Sequence, residues 1–213
     1  MIRDLPLVPS LALAVLYTLL TFFAASVGLP YAHLATASGL RSACGGRRFV
    51  RAQDRHLVPL PVAKPLSWLD TPHVRIASWH PPISVFLLFW ATAHVLSLYP
   101  GWLLGVYAIL VTPTNLAAAL GAGAWLLGLC FQVGALPVYF AAGAVGFAVG
   151  LLMTALLFSI GAVIALGFLG EWVALAFSLP MVAWLAFVAT LWLYTLIATN
   201  WTLARGDYQR VMS

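Results

Sequence analysis

Long apolar runs separated by one polar interruption dominate this chain, and that pattern predicts membrane-spanning helices. No Asp, Glu, Lys or Arg occurs from Leu5 to Leu40, between Arg75 and Glu171, or from Val173 to Ala204. A charge at the centre of a spanning helix costs roughly 2.5 to 3.5 kcal/mol on insertion scales, so charge-free tracts of this length are what a bilayer selects. A span needs about 20 apolar residues. The runs therefore divide into about six predicted spans, at 9–28, 82–99, 102–120, 122–142, 144–169 and 172–199, with an extramembrane loop over 29–80 and a polar tail over 200–213. The expected fold is a single membrane domain, an all-α polytopic transmembrane helix bundle.

Turn residues and interfacial aromatics set these boundaries. Pro30 closes the first span, and Tyr99-Pro100-Gly101-Trp102 combines a turn dipeptide with two aromatics suited to the headgroup region. From Trp102 to Gly170 the punctuation is softer: Thr112-Pro113-Thr114-Asn115, Gly121-Ala122-Gly123, Pro137 and Ala142-Gly143. Reading Thr112 to Asn115 as a true turn gives an alternative with five spans, in which Trp102 to Val111 is a short interfacial or re-entrant piece. Five spans put Arg205 and Arg210 on the same side as the loop, which suits the charge rule; six suit the helix lengths better. The first span follows Met1-Ile2-Arg3-Asp4 and ends near Ala24-Ala25-Ser26, and its length reads as a retained signal anchor.

Composition sharpens this reading. The chain is 63% hydrophobic and 7% charged with a mean hydropathy of +1.02, against about 25% charged residues in soluble domains. The net charge of +5 is concentrated in the loop, in Arg41, Arg47, Arg48, Arg51, Arg55, Lys64 and Arg75, offset by Asp54 and Asp70. The positive-inside bias places this basic loop on the matrix or cytoplasmic side, and the expected location, on the frequency of such subunits, is a mitochondrial inner or bacterial plasma membrane. Within it, the run Arg47 to His56 suits anionic lipid such as cardiolipin or a partner protein through Arg47, Arg48, Arg51 and Arg55. A solvated charge run is the plainer reading. Cys44 and Cys130 are too unlike in setting to suggest a disulfide framework or metal cluster.

Candidate chemistry is sparse. His94 falls near the middle of the second predicted span, where an imidazole either ligates haem or a chlorophyll magnesium or bonds a neighbouring helix. The spans offer no second histidine for bis-histidine ligation. Gly143, Gly146 and Gly150 nearly share a helix face, Ala117 with Gly121 and Ala119 with Gly123 repeat the small-xxx-small spacing, and Gly161, Ala165 and Gly170 continue it. Such residues let helix backbones approach in lipid. Asn115, Gln132, Thr112, Thr114, Thr154 and Ser159 are the remaining polar groups noted in the spans, and structural use suits them better than a pore lining. Phosphate loops, nucleophile elbows and zinc-protease motifs are absent.

Lys64-Pro65-Leu66-Ser67, Pro72-His73-Val74 and Ile83-Ser84 resemble the approach to the first span of succinate dehydrogenase cytochrome b subunits. The resemblance ends there: no Arg follows Ser84 in the helix, no haem-ligating histidine pattern follows downstream, and the span count is too high. Three functions then compete. The leading expectation is a non-catalytic subunit of a larger membrane complex, respiratory or ATP-synthase in type, partnered by other membrane subunits and anionic lipids, without nucleic acid. The alternatives are a small carrier or channel for a neutral or lipidic solute, sited around Pro113, Asn115 and Pro137, and a lipid-modifying enzyme using His33, His56, His73 and His80. The first predicts a partner-covered outer surface, the second a polar cavity at membrane depth, the third converging histidines.

Overall fold

A computed structural model describes residues 7–44, 79, 81, 83–140 and 144–204. Every regular element among them is helical: α1 (Leu7–Cys44), α2 (Ile83–Val106) running into a π-helical turn (Tyr107–Val111), α3 (Leu116–Phe140), α4 (Val145–Phe168) and α5 (Trp172–Ala204). Helix is the form that satisfies each backbone N–H and C=O within its own segment, which lipid requires. The 25 residues of α3 extend about 37 Å at 1.5 Å per residue, enough for a hydrocarbon core of about 30 Å.

Among the described residues, five helices are long and apolar enough to cross a membrane. The count of about six spans is not confirmed, and the difference lies in what breaks the chain after His94. Tyr99 to Trp102 is not a turn but the interior of α2, with Pro100 fully buried. Proline lacks one backbone donor and distorts a helix, yet neighbouring helices accommodate it in membrane bundles. Gly101 contributes here by letting the Trp125 ring lie where a side chain would stand: a Cβ at Gly101 would fall 2.4 Å from the indole. Trp102 to Val111 is the end of the same span rather than an interfacial piece.

The break comes at Thr112–Asn115, as the five-span alternative has it. The Thr112 amide bonds back to the Tyr107 carbonyl at 2.9 Å, closing the π-helical turn, and Thr112 leaves helical geometry at φ −137°, ψ 68°. Asn115 Oδ1 then accepts from the amides of Ala117 (2.9 Å) and Ala118 (3.3 Å), capping the first turn of α3. The α4–α5 turn closes on Gly170, whose φ of 73° is the left-handed conformation that favours glycine at a helix C-terminus. Its amide and that of Glu171 bond to the carbonyls of Gly167 and Leu166. At the other end of the chain, α1 does not stop at Pro30; its helical backbone continues to Cys44.

Among the described residues, buried apolar side chains gather in two clusters. One gathers Trp90, Leu136, Tyr139, Leu152, Trp184 and Trp192 from α2, α3, α4 and α5, with Tyr139 and Trp192 stacked at 3.9 Å. The other joins Leu103, Leu104, Ala122, Ala165, Leu166 and Ala174 nearer the Gly170 turn. Helix α1 lies against α2 and α3, with most of its span window exposed. Its anchor is Tyr17, which is 4% exposed and packs 5.1 Å from the Trp125 ring over Gly105. The outer surface carries Leu11, Phe22, Leu120, Phe147, Leu157 and Phe168, all more than half exposed. Large apolar side chains inside and out are what a lipid solvent allows.

Candidate functional site

The polar groups with most chemical potential meet near the middle of the bundle. The His94 side chain on α2 is 0% exposed. Its Nδ1 lies 2.8 Å from the Trp90 carbonyl oxygen one turn earlier, and its Nε2 lies 3.3 Å from Gln132 Nε2 on α3. A carbonyl can only accept, so Nδ1 carries the proton and donates to Trp90. Nε2 then presents a lone pair to the Gln132 amide, and the imidazole is neutral. The same Gln132 nitrogen is 3.6 Å from Met181 Sδ on α5. One amide thus ties α2, α3 and α5 together through a nitrogen and a sulfur acceptor.

Hydroxyls surround this junction. Ser97 donates to the His94 carbonyl at 2.9 Å, Ser178 to Ala174 at 3.0 Å, and Ser159 to Ala155 at 2.9 Å. Each spends its proton on its own helix, the usual arrangement for hydroxyls in lipid-facing chains. Between them is a half-open cavity with room of about 30 Å³, lined by Ser97, Gln132, Ser159, Ser178 and Met181, with Trp125 on one wall. Beside it the Trp90 ring lies 4.6 Å from the imidazole, and the buried Nε1 atoms of Trp90 and Trp184 have no hydrogen-bond partner.

A metal at His94 would have to use Nε2, the unprotonated ring nitrogen, and would have to displace the Gln132 amide from it. Among the described residues no group of three or more His, Cys, Asp or Glu side chains converges. A second polar contact lies at the end of α2, where the Tyr107 hydroxyl donates to the Glu171 carboxylate at the head of α5. It joins the π-helical turn to the α4–α5 turn across the bundle end.

The small residues divide in a way their spacing did not reveal. Gly146 and Gly150 lie on the exposed face of α4. A Cβ at Gly150 would meet nothing within 4 Å, and one at Gly146 only Leu196 Cδ1 at 3.9 Å. Within the chain, close approach is made instead at Gly101, at Gly105 (Tyr17 Oη 2.6 Å from a built Cβ) and at Gly121 (Ala165 Cβ 2.6 Å, Leu104 Cδ2 2.8 Å). Gly121 belongs to a pair the spacing did single out. Gly101 and Gly105 form their own small-xxx-small pair in α2, a signal masked by reading Gly101 as part of a turn. Gly143, Arg47, Arg48, Arg51 and Arg55 lie outside the described residues, as do His56, His73 and His80.

No protein-family model matches the chain, and no curated protein is significantly similar to it.

Proposed function

We propose that the chain is a non-catalytic integral membrane subunit of a larger membrane protein complex, of the respiratory-chain or ATP-synthase kind, acting in assembly, helix packing and lipid binding. The observation that carries this reading is the mutual engagement of the interior's polar donors. His94, Gln132 and Met181 engage one another, and Ser97, Ser159 and Ser178 bond their own helices. Pumps and ion-coupled carriers usually keep ionised side chains inside the bundle, and the sequence between Arg75 and Glu171 has no Asp, Glu, Lys or Arg. What remains for interaction is the apolar outer surface, including the two exposed glycines of α4, and the basic loop, which suits partner subunits and anionic lipid such as cardiolipin. The bioenergetic assignment rests on how common such subunits are in those membranes. With α2 to α5 as four crossings, the basic loop and the tail share a side, and the charge rule makes that the matrix or cytoplasmic side. Native electrophoresis of a mild-detergent extract, with mass spectrometry of the band, tests the proposal. Migration with redox or ATP-synthase subunits supports it; a monomer or small homo-oligomer refutes it.

A second reading, a carrier or channel for a small neutral solute, gains from the cavity at Gln132 rather than from the region around Pro113 and Pro137. Haem or chlorophyll ligation is the other use open to His94 Nε2, and an absorption band lost in His94→Ala would identify it.

A further inference from the structure

We infer that the cavity at the junction of α2, α3, α4 and α5 is a binding site for one small, uncharged hydrogen-bond donor of the size of water, either water itself or ammonia. The argument is an accounting of protons. Four helices contribute polar side chains to the wall: Ser97 from α2, Gln132 from α3, Ser159 from α4, and Ser178 with Met181 from α5. The three hydroxyl protons are committed to the carbonyls of His94, Ala155 and Ala174. The Gln132 amide directs its nitrogen to His94 and Met181. What these groups can still offer is acceptor capacity: hydroxyl lone pairs and the amide oxygen. Ser97, Gln132 and Ser178 are all more than nine-tenths buried. A donor that reaches these remaining lone pairs gains hydrogen bonds that the surrounding side chains, with their protons already committed, do not supply.

Size and charge narrow the occupant. A volume of about 30 Å³ exceeds the roughly 10 to 15 Å³ that one water needs and leaves little beyond a second. No Asp, Glu, Lys or Arg is among the lining residues, so a bare cation would lose its hydration without a counter-charge. A neutral O–H or N–H donor meets both limits. Binding at this site is independent of whether the occupant crosses the membrane or the chain joins a complex.

The full chain in deuterated-lipid nanodiscs, with 15N-labelled glutamine side chains, gives the test by NMR. Water is the first probe, and 15N-ammonium chloride at alkaline pH supplies ammonia as the second. A dipolar contact from the Gln132 side-chain amide to water protons, or to 15N-bound ammonia protons, supports the site and says which donor fills it. Replacing all three serines, by Ser97→Ala, Ser159→Ala and Ser178→Ala, keeps the volume and removes the acceptors; the contact then weakens by about twofold or more. Ala162→Val narrows the cavity with its acceptors intact and also weakens it. A resolved Gln132 amide in contact with neither probe overturns the inference, as does a contact undiminished in the triple variant.

Discussion

The bond between His94 and Gln132 makes a quantitative prediction about how this bundle is held. Replacing Gln132 by Leu keeps approximate volume but removes the donor facing His94 Nε2, so a fully buried nitrogen is left unmatched. Orphaning a buried polar group costs about 1 to 3 kcal/mol. His94→Leu likewise strands the Gln132 amide and deletes the Trp90 contact. The double variant removes both partners, so it should be less damaged than the two losses added. Interhelical hydrogen bonds in membranes average about 0.6 kcal/mol and reach about 1.7. At 3.3 Å this contact is slightly beyond the usual N–H···O range of about 2.7 to 3.2 Å, which places the expected coupling near the average. An energy of about 0.6 kcal/mol is about a threefold change in an equilibrium constant. Reversible unfolding of the purified protein in bicelles, measured on the wild type, both single variants and the double, gives the coupling directly. A cycle that closes to zero would refute the pairing. So would 15N shifts placing the His94 proton on Nε2, because Nδ1 must then accept from a carbonyl, which has no proton to give.

Other outcomes follow from the same packing. Gly121→Ala drives a methyl into Ala165 Cβ and Leu104 and should destabilise by about 1 to 3 kcal/mol despite alanine's better helix propensity. Gly150→Ala meets open space and should be neutral or stabilise the isolated chain by up to about 1 kcal/mol in the same unfolding assay; a loss equal to that of Gly121→Ala would show this face of α4 to be packed rather than open. Tyr107→Phe removes the donor to Glu171 and should cost about 1 kcal/mol, with faster hydrogen exchange at the π-helical turn as its local signature. In a cysteine-free background, reporter cysteines between α1 and α2 and after α5 should react with an impermeant thiol reagent from the same side of the membrane. Labelling from opposite sides would contradict four crossings between them.

The helical, lipid-facing class was legible because it depends on composition over long windows, and no arrangement of neighbours reverses a tract without charge. The span count was not, because turn signals learned from soluble chains change weight in a bundle. Pro100-Gly101 reads as a break, yet the buried proline and the indole of Trp125 over Gly101 fit inside one helix. Thr112 to Asn115 carried the better signal, an Asn able to cap the next helix. His94 was legible as a buried imidazole that would bond a neighbouring helix or a cofactor, and Gln132 as one of few polar groups in the spans. Their pairing was not, since it depends on how α2 and α3 are rotated about their axes. The glycines show the same limit: spacing finds a small-residue face, and only packing decides whether Gly150 looks inward or out.

The junction at Gln132 also has a consequence for how the chain is made. A ribosome delivers α2 before α3, and α3 well before α5. His94 therefore enters the membrane or its insertion machinery with its Nε2 unmet and pairs once Gln132 arrives, and Gln132 gains its Met181 contact only when α5 has been synthesised. The α2–α3 hairpin has reason to travel as a unit, because each member hides the other's polar group from lipid. Arrival of α5 then adds one contact, the thioether against the amide, which a nascent chain truncated before Met181 cannot make.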